Sequence, residues 1–150
     1  MVDKSQIPVV ILSGGKGTRL SELTKSIPKP MVKVQNKPLI NHIISHYCKY
    51  GFSNFIILTG YKSKLLVDYF NNFKHPSKPL VKCINTGLNS MTGGRLKRLE
   101  NILSKNKYFM FTYGDGLSNI DIDKLLKSHI RSKKITTLSC VRPPARFGYL

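Results

Sequence analysis

The segment Ile7-Pro8-Val9-Val10-Ile11-Leu12-Ser13-Gly14-Gly15-Lys16-Gly17-Thr18-Arg19-Leu20 joins an apolar run to a cluster of three glycines. Ile7 to Leu12 is short, unbroken and rich in β-branched side chains, the pattern of a strand buried on both faces. The glycines follow at once, where a loop leaves the edge of a sheet. Glycine lets backbone N–H groups come close to phosphate oxygens, and a helix start just beyond adds its positive dipole end. The loop is not a Walker A sequence, because Gly17 follows Lys16 where Ser or Thr is required. It also departs from the dinucleotide fingerprint, because Leu20 stands where a third small residue belongs. On these residues alone a structural turn and a phosphate cradle both stay open.

Outward from this segment, apolar and polar residues alternate between strand and helix periods. Leu39, Ile40, Ile43, Ile44 and Tyr47 recur at helical spacing, with Pro38 at the start and Gly51 as a cap, so Leu39 to Tyr50 is predicted as a helix. Phe55 to Leu58 reads as a second buried strand, Ser63 to Asn72 as a helix and Leu80 to Ile84 as a strand. Arg95 to Ser104 reads as a helix with Leu96, Leu99 and Leu103 inward. Lys107 to Thr112 is the next strand, Ile122, Leu125, Leu126 and Ile130 mark another helix, and Ile135 to Val141 a further strand. This alternation predicts an α/β fold with a mostly parallel sheet sandwiched by helices, Rossmann-like, with ligands at the carboxyl ends of the strands. The chain ends at Tyr149-Leu150 just after a loop, so the fold is expected to be incomplete at its C-terminus.

The 150 residues, 41% of them apolar, suffice for one core and one domain. The run around Pro8 to Leu12 is far short of the ~20 residues that cross a bilayer. The N-terminus MVDKSQ shows no secretory signal, and a cytoplasmic protein without a membrane partner is expected. Cys48, Cys83 and Cys140 are odd in number, widely separated and never in a CxxC pair, so they are expected to be core thiols. Lys and Arg outnumber Asp and Glu by 25 to 7, a net charge of +18. Such an excess suits phosphate-bearing ligands, nucleic acid or anionic lipid. The charge is diffuse: no lysine run exceeds Lys133-Lys134, and no basic segment is interleaved with stacking aromatics. No nucleic-acid partner is therefore expected. A homo-oligomer is expected, though no motif specifies its order.

Four further stretches carry chemistry. In Pro28-Lys29-Pro30-Met31 two prolines fix the backbone around one lysine and hold its point charge in place. Thr86 to Arg98, TGLNSMTGGRLKR, is a polar loop opening into a helix. Ser90, Thr92 and the Gly93-Gly94 backbone offer hydrogen-bonding groups there, and Arg95 adds a fork of donors. Tyr108 to Gly116, YFMFTYGDG, ends a buried strand in Gly114-Asp115-Gly116, which places a carboxylate at the carboxyl edge of the sheet, where a hard oxygen ligand can hold Mg²⁺. Pro143-Pro144-Ala145-Arg146-Phe147-Gly148 forms a last loop.

Together GGKGTRL and PKPM resemble the N-terminal motif of the sugar nucleotidylyltransferases. SMTGGRLKR and PPARFG resemble the corresponding segments of the glucose-1-phosphate cytidylyltransferase branch, and the resemblance spans essentially the whole chain. It implies the nucleotide-diphospho-sugar transferase fold, with residues 1–150 as the N-terminal, nucleotide-binding part and the C-terminal sugar-binding part absent. Leu12, Ser13, Gly14, Gly15, Lys16, Gly17, Thr18 and Arg19 would wrap the nucleotide, together with Gly114. Arg19 would neutralise charge near the departing pyrophosphate, Lys29 would hold phosphate oxygens, and Ser90 and Arg95 would contact CTP. Asp115 would bind Mg²⁺; the family's second magnesium carboxylate comes from later in its chain. Arg19, Lys29 and Asp115 are thus the expected catalytic residues, with CTP and glucose 1-phosphate as substrates and CDP-glucose, a precursor for surface-polysaccharide deoxysugars, as product. A related enzyme for another nucleotide or sugar phosphate, and a non-catalytic nucleotide-binding module, are the alternatives.

Two patterns are set aside. His42 and His46 have metal-pair spacing, but no Glu follows His42 as in HExxH, and with Asn41, Ser45 and Lys49 they point away from the apolar stripe. They are expected to be solvated surface. Asp121 and Asp123 are expected to cap a helix start.

Overall fold

A computed structural model describes residues 2–17 and 21–140. In chain order its elements are β1 (Val9–Ser13), α1 (Ser21–Thr24), β2 (Lys33–Val34), β3 (Lys37–Pro38), α2 (Leu39–Lys49), β4 (Asn54–Thr59), α3 (Ser63–Asn71), β5 (Leu80–Asn85), α4 (Thr92–Lys97), α5 (Glu100–Leu103), β6 (Met110–Tyr113) and α6 (Ile122–Ser132). The chain divides into two compact units, residues 1–118 and 119–150.

In the first unit four parallel strands lie in the order β5-β4-β1-β6. β1 is buried at all five positions because it has strands on both edges and apolar layers on both faces. Val9 pairs with Phe55 on one side and Met110 on the other, and Leu12 pairs with Leu58 and Tyr113. Val10, Leu12, Ile56 and Leu58 form one cluster with Leu99 and Leu103. Residues of the opposite parity, including Phe55, face the other way, and there Tyr47 of α2 meets Phe55 edge to face at 6.5 Å. Each fully buried Val, Leu or Ile contributes roughly 1.5–3 kcal/mol of apolar transfer, so Ile57→Ala in the middle of β4 should cost about 2–5 kcal/mol.

α2 runs from Pro38 to a turn at Gly51, whose φ of 87° is the left-handed conformation expected of a glycine cap. The helix expected over Arg95 to Ser104 differs. It begins three residues earlier, at Thr92, and breaks at Leu99, where bonds from Leu99 N to Leu96 O and from Ile102 N to Leu99 O tighten the turn into two short helices. Leu99 and Leu103 are buried and Leu96 half-buried, so the inward face is the one foreseen.

Three of the five side chains expected to be solvated on α2 meet neighbouring segments instead. Asn41 Nδ2 donates to Tyr69 Oη at 2.6 Å, His42 Nε2 lies 2.9 Å from Val34 O, and Ser45 Oγ lies 3.0 Å from His75 Nε2. His46 stands edge-on to Tyr50, with ring centres 5.4 Å apart. Lys49 alone of the five is exposed. The cysteines are not core thiols either: Cys48 and Cys83 are half-buried and Cys140 is exposed.

In the second unit Asp121 caps α6, accepting from Lys124 N at 2.9 Å, as its position suggested. The strand expected over Ile135 to Val141 does not form across residues 135–140; Val141 lies outside the described residues. A strand needs a neighbour for its backbone groups, none accompanies this segment among the described residues, and Ile135 is fully exposed.

Candidate functional site

Because the strands are parallel, β1, β4 and β6 deliver their carboxyl ends to one edge. The chain path reverses beside β1, with β4 on one flank and β6 on the other, and such a switch point leaves a crevice between the diverging loops. A cleft of about 530 Å³ opens there, within the range of small-molecule sites. It is lined by residues 12–17, by Lys29 and Pro30, by residues 88–92 with Arg95, and by residues 113–115. All of these lie in the first unit.

Of the expected site residues, Leu12, Ser13, Gly14, Gly15, Lys16, Gly17, Lys29, Ser90, Arg95, Gly114 and Asp115 all line this cleft. Thr18 and Arg19 lie outside the described residues, as do Arg146 and its loop. Pro30, Leu88, Asn89, Met91 and Tyr113 line it too without having been singled out. All five sit inside the quoted motifs, but nothing in the sequence marks their side chains as facing the cleft.

The approach of the segments depends on missing side chains. Gly114 N donates to Leu12 O at 2.7 Å, and a Cβ on Gly114 would lie 2.7 Å from that same oxygen and from Ser13 Oγ. Gly17 has φ 65°, and a Cβ there would stand 3.0 Å from Thr24 Cγ2 and 3.1 Å from Lys29 Cβ. Thr24 Oγ1 donates to Gly17 O, so the glycine turn is packed and bonded against the segment carrying Lys29.

Lys29 Nζ donates to Asp115 Oδ2, an ion pair between the PKPM turn and the end of β6. Lys29 lies in a short 3₁₀ turn, Lys29–Met31, with Pro28 extended before it, as the two prolines require. Ser90 Oγ donates to Thr86 O, while Asn85 Oδ1 accepts from Gly87 N at 2.9 Å, so the loop after β5 carries its own bonds. Ser13 Oγ, buried on the cleft, has no hydrogen-bond partner among the described residues. The Arg95 guanidinium is buried, and four of its N–H groups reach protein acceptors. Burial, and then the charge of Arg98, draws its pKa below the ordinary guanidinium value.

Among the described residues no three His, Cys, Asp or Glu side chains gather to form a metal cage. One carboxylate beside a glycine-rich loop nevertheless suits Mg²⁺, which keeps waters and is commonly held by one or two carboxylates plus substrate phosphates. No described helix is long and apolar enough to cross a membrane.

A glycine loop, a lysine and a carboxylate converge at the switch point of a parallel α/β sheet, the place where open sheets of this kind commonly take their ligands. The chain belongs to the nucleotidyl transferase family, whose model matches residues 8–150. It is 41% identical to the glucose-1-phosphate cytidylyltransferase of Salmonella typhimurium, over 94% of this chain and 63% of that protein. It is 31% identical to the D-glycero-alpha-D-manno-heptose 1-phosphate guanylyltransferase of Aneurinibacillus thermoaerophilus, over 92% of this chain and 58% of that protein. Among solved structures, HddC from Yersinia pseudotuberculosis complexed with GMP-PN superposes with a TM-score of 0.70 at 29% identity, covering 83% of this chain and 55% of that one. The chain therefore spans roughly three fifths of the length of these two curated relatives.

Proposed function

We propose that this chain is the nucleotide-binding part of a glucose-1-phosphate cytidylyltransferase that forms CDP-glucose and pyrophosphate from CTP and glucose 1-phosphate. The observation that carries the reading is the convergence of the glycine loop, Lys29, Asp115 and the SMTGGR segment on one cleft, in a chain 41% identical to a protein of that name. A phosphate oxygen of glucose 1-phosphate attacks the α-phosphorus of CTP in line. The new P–O bond forms as the bond to the β-phosphate oxygen breaks, and pyrophosphate carries away the electron pair. No protein nucleophile is needed, so the chain's task is positioning and charge neutralisation. N–H groups of Gly14, Gly15 and Gly17 receive phosphate oxygens, Lys29 and Arg19 balance their charge, and Ser13 and Ser90 offer hydroxyls to the nucleotide. Asp115 would hold Mg²⁺, which when bound neutralises charge on the leaving pyrophosphate.

Pyrophosphate release with glucose 1-phosphate and each of CTP, UTP, dTTP and GTP tests the reading. Preference for CTP is expected, and equal or better use of another nucleotide overturns it. A second reading, an enzyme for another nucleotide and sugar phosphate, is favoured by the similarity to a guanylyltransferase and to a GMP-PN complex. A third reading is a nucleotide-binding module without turnover. CTP binding without pyrophosphate release would distinguish it.

A further inference from the structure

Tyr61 lies outside the cleft, in the corner between β4 and α3, yet it meets the glycine loop and its flank at two places. Its main-chain N donates to Gly14 O at 3.1 Å, and its Oη donates to Thr24 O at 3.0 Å. Thr24 is buried and passes the contact on: its Oγ1 donates to Gly17 O at 3.1 Å, and its Cγ2 would stand 3.0 Å from a Cβ built on Gly17. One residue of a separate corner thus holds the first glycine of the loop directly and the third through Thr24.

The corner is built to come this close. Gly60 has no side chain where a Cβ would lie 2.8 Å from Gly14 O and from Gly87 O, so β4 can end against the loop. Lys62 is left-handed, with φ 50°, and Ser63 N closes the turn on Gly60 O at 3.2 Å. The described peptides are all trans, and in a trans unit the N–H points opposite to the C=O. Holding Gly14 O therefore sets the direction of the Gly15 N–H, one of the groups assigned above to phosphate oxygens. Gly17 also abuts Lys29, whose Cβ would stand 3.1 Å from the same built atom, so the position of Gly17 bears on the lysine as well.

We infer that Tyr61 is a positioning residue for the polyphosphate. From outside the cleft it sets the geometry of the Gly14–Gly17 turn, at one end by its main chain and at the other by its hydroxyl acting through Thr24. The inference rests on the nucleotide-binding reading above and adds to it a residue that the cleft lining does not contain.

The test is calorimetric titration of CTP and of inorganic tripolyphosphate into the wild-type chain, Tyr61→Phe, Thr24→Val and the double variant, each well below its unfolding midpoint. Tyr61→Phe keeps the ring, which Lys62 Nζ approaches to 5.5 Å, and removes only the hydroxyl. Loss of one such hydrogen bond should weaken both ligands alike, by roughly threefold to tenfold, and Thr24→Val should do the same. Both act on Gly17 through one chain of bonds, so the double variant should lose less than the product of the single losses. Tyr69→Phe is the control: its hydroxyl accepts from Asn41 at 2.6 Å away from the cleft, so its removal should lower stability and leave both affinities unchanged. Unchanged affinity in Tyr61→Phe overturns the inference, as do an equal loss in Tyr69→Phe, a loss for CTP alone, and single losses that multiply in the double variant. Should Tyr61→Phe fail to fold, Thr24→Val decides, and unchanged affinity there overturns the inference. A wild-type chain that binds neither ligand overturns the nucleotide-binding reading itself, a result distinct from wild-type binding that Tyr61→Phe leaves intact.

Discussion

Lys29 and Asp115 face each other as an ion pair at the cleft, both partly exposed to solvent. Partly exposed pairs contribute about 0–1 kcal/mol to folding, whereas a cation aimed at developing phosphate charge is worth about 10²–10³ in rate. Lys29→Met and Asp115→Asn should therefore each lower pyrophosphate release at least a hundredfold, while shifting the unfolding free energy by no more than about 1 kcal/mol. Near-normal turnover in either variant would remove that residue from the mechanism.

Gly60, Gly93 and Gly94 present two opposite situations that three substitutions separate. A Cβ on Gly60 would meet Gly14 O and Gly87 O at 2.8 Å, both backbone atoms that cannot swing aside. Gly60→Ala should then destabilise by about 1–3 kcal/mol, as overpacking does. Gly93 and Gly94, inside α4, have nothing within 4 Å of a built Cβ. Alanine at either should be neutral or stabilising by up to about 1 kcal/mol. Chemical denaturation of the three variants checks both halves, and a stable Gly60→Ala protein would contradict the crowded geometry.

The hairpin of β2 and β3 turns through Gln35 (φ 49°) and Asn36 (φ 63°), both left-handed. Two-residue turns with both φ positive favour Asn-Gly. The double substitution Gln35→Asn, Asn36→Gly should stabilise by about 1 kcal/mol, read as a raised melting temperature. An unchanged or lowered melting temperature counts against a strained turn.

Thiol reactivity should follow burial. Cys140 is exposed, while burial pushes Cys83 up to about 11 from 9.0. At neutral pH that reduces its thiolate about a hundredfold, and the greater nucleophilicity of the more basic sulfur recovers about tenfold. Mass-resolved alkylation should modify Cys140 first and Cys83 at least about tenfold more slowly, with the gap narrowing as pH approaches 11. Equal rates at pH 7 would show that Cys83 is not shielded as described.

The central strand and its glycine loop were legible because an apolar run buried on both faces has few other uses, and because glycines at its end mark close backbone approach. Asp115 lies at the carboxyl edge as expected because it follows β6, which is parallel to β1, although Phe111 and Tyr113 leave that strand largely exposed rather than buried. The cleft position of Arg95 was legible, but its hydrogen-bond partners were not. Its partners Gly14, Thr59 and Thr86 are scattered along the chain, and only folding reveals that Gly14 and Gly60 together leave room for a guanidinium. His42 and Ser45 were misread in the same way, since Val34 and His75 reach them from other segments. The break at Leu99 left no trace in the sequence, because the leucine spacing on either side of it is that of one continuous helix.

β1 has neighbours on both edges and packing on both faces, and it ends in the residues that begin the cleft. Its amide groups can exchange with solvent only when the strands beside it separate, so the opening that would release Gly14 from its place is close to the unfolding of the whole first unit. Leu12 and Ser13, the part of the cleft that β1 itself supplies, should therefore lose their place only together with the fold.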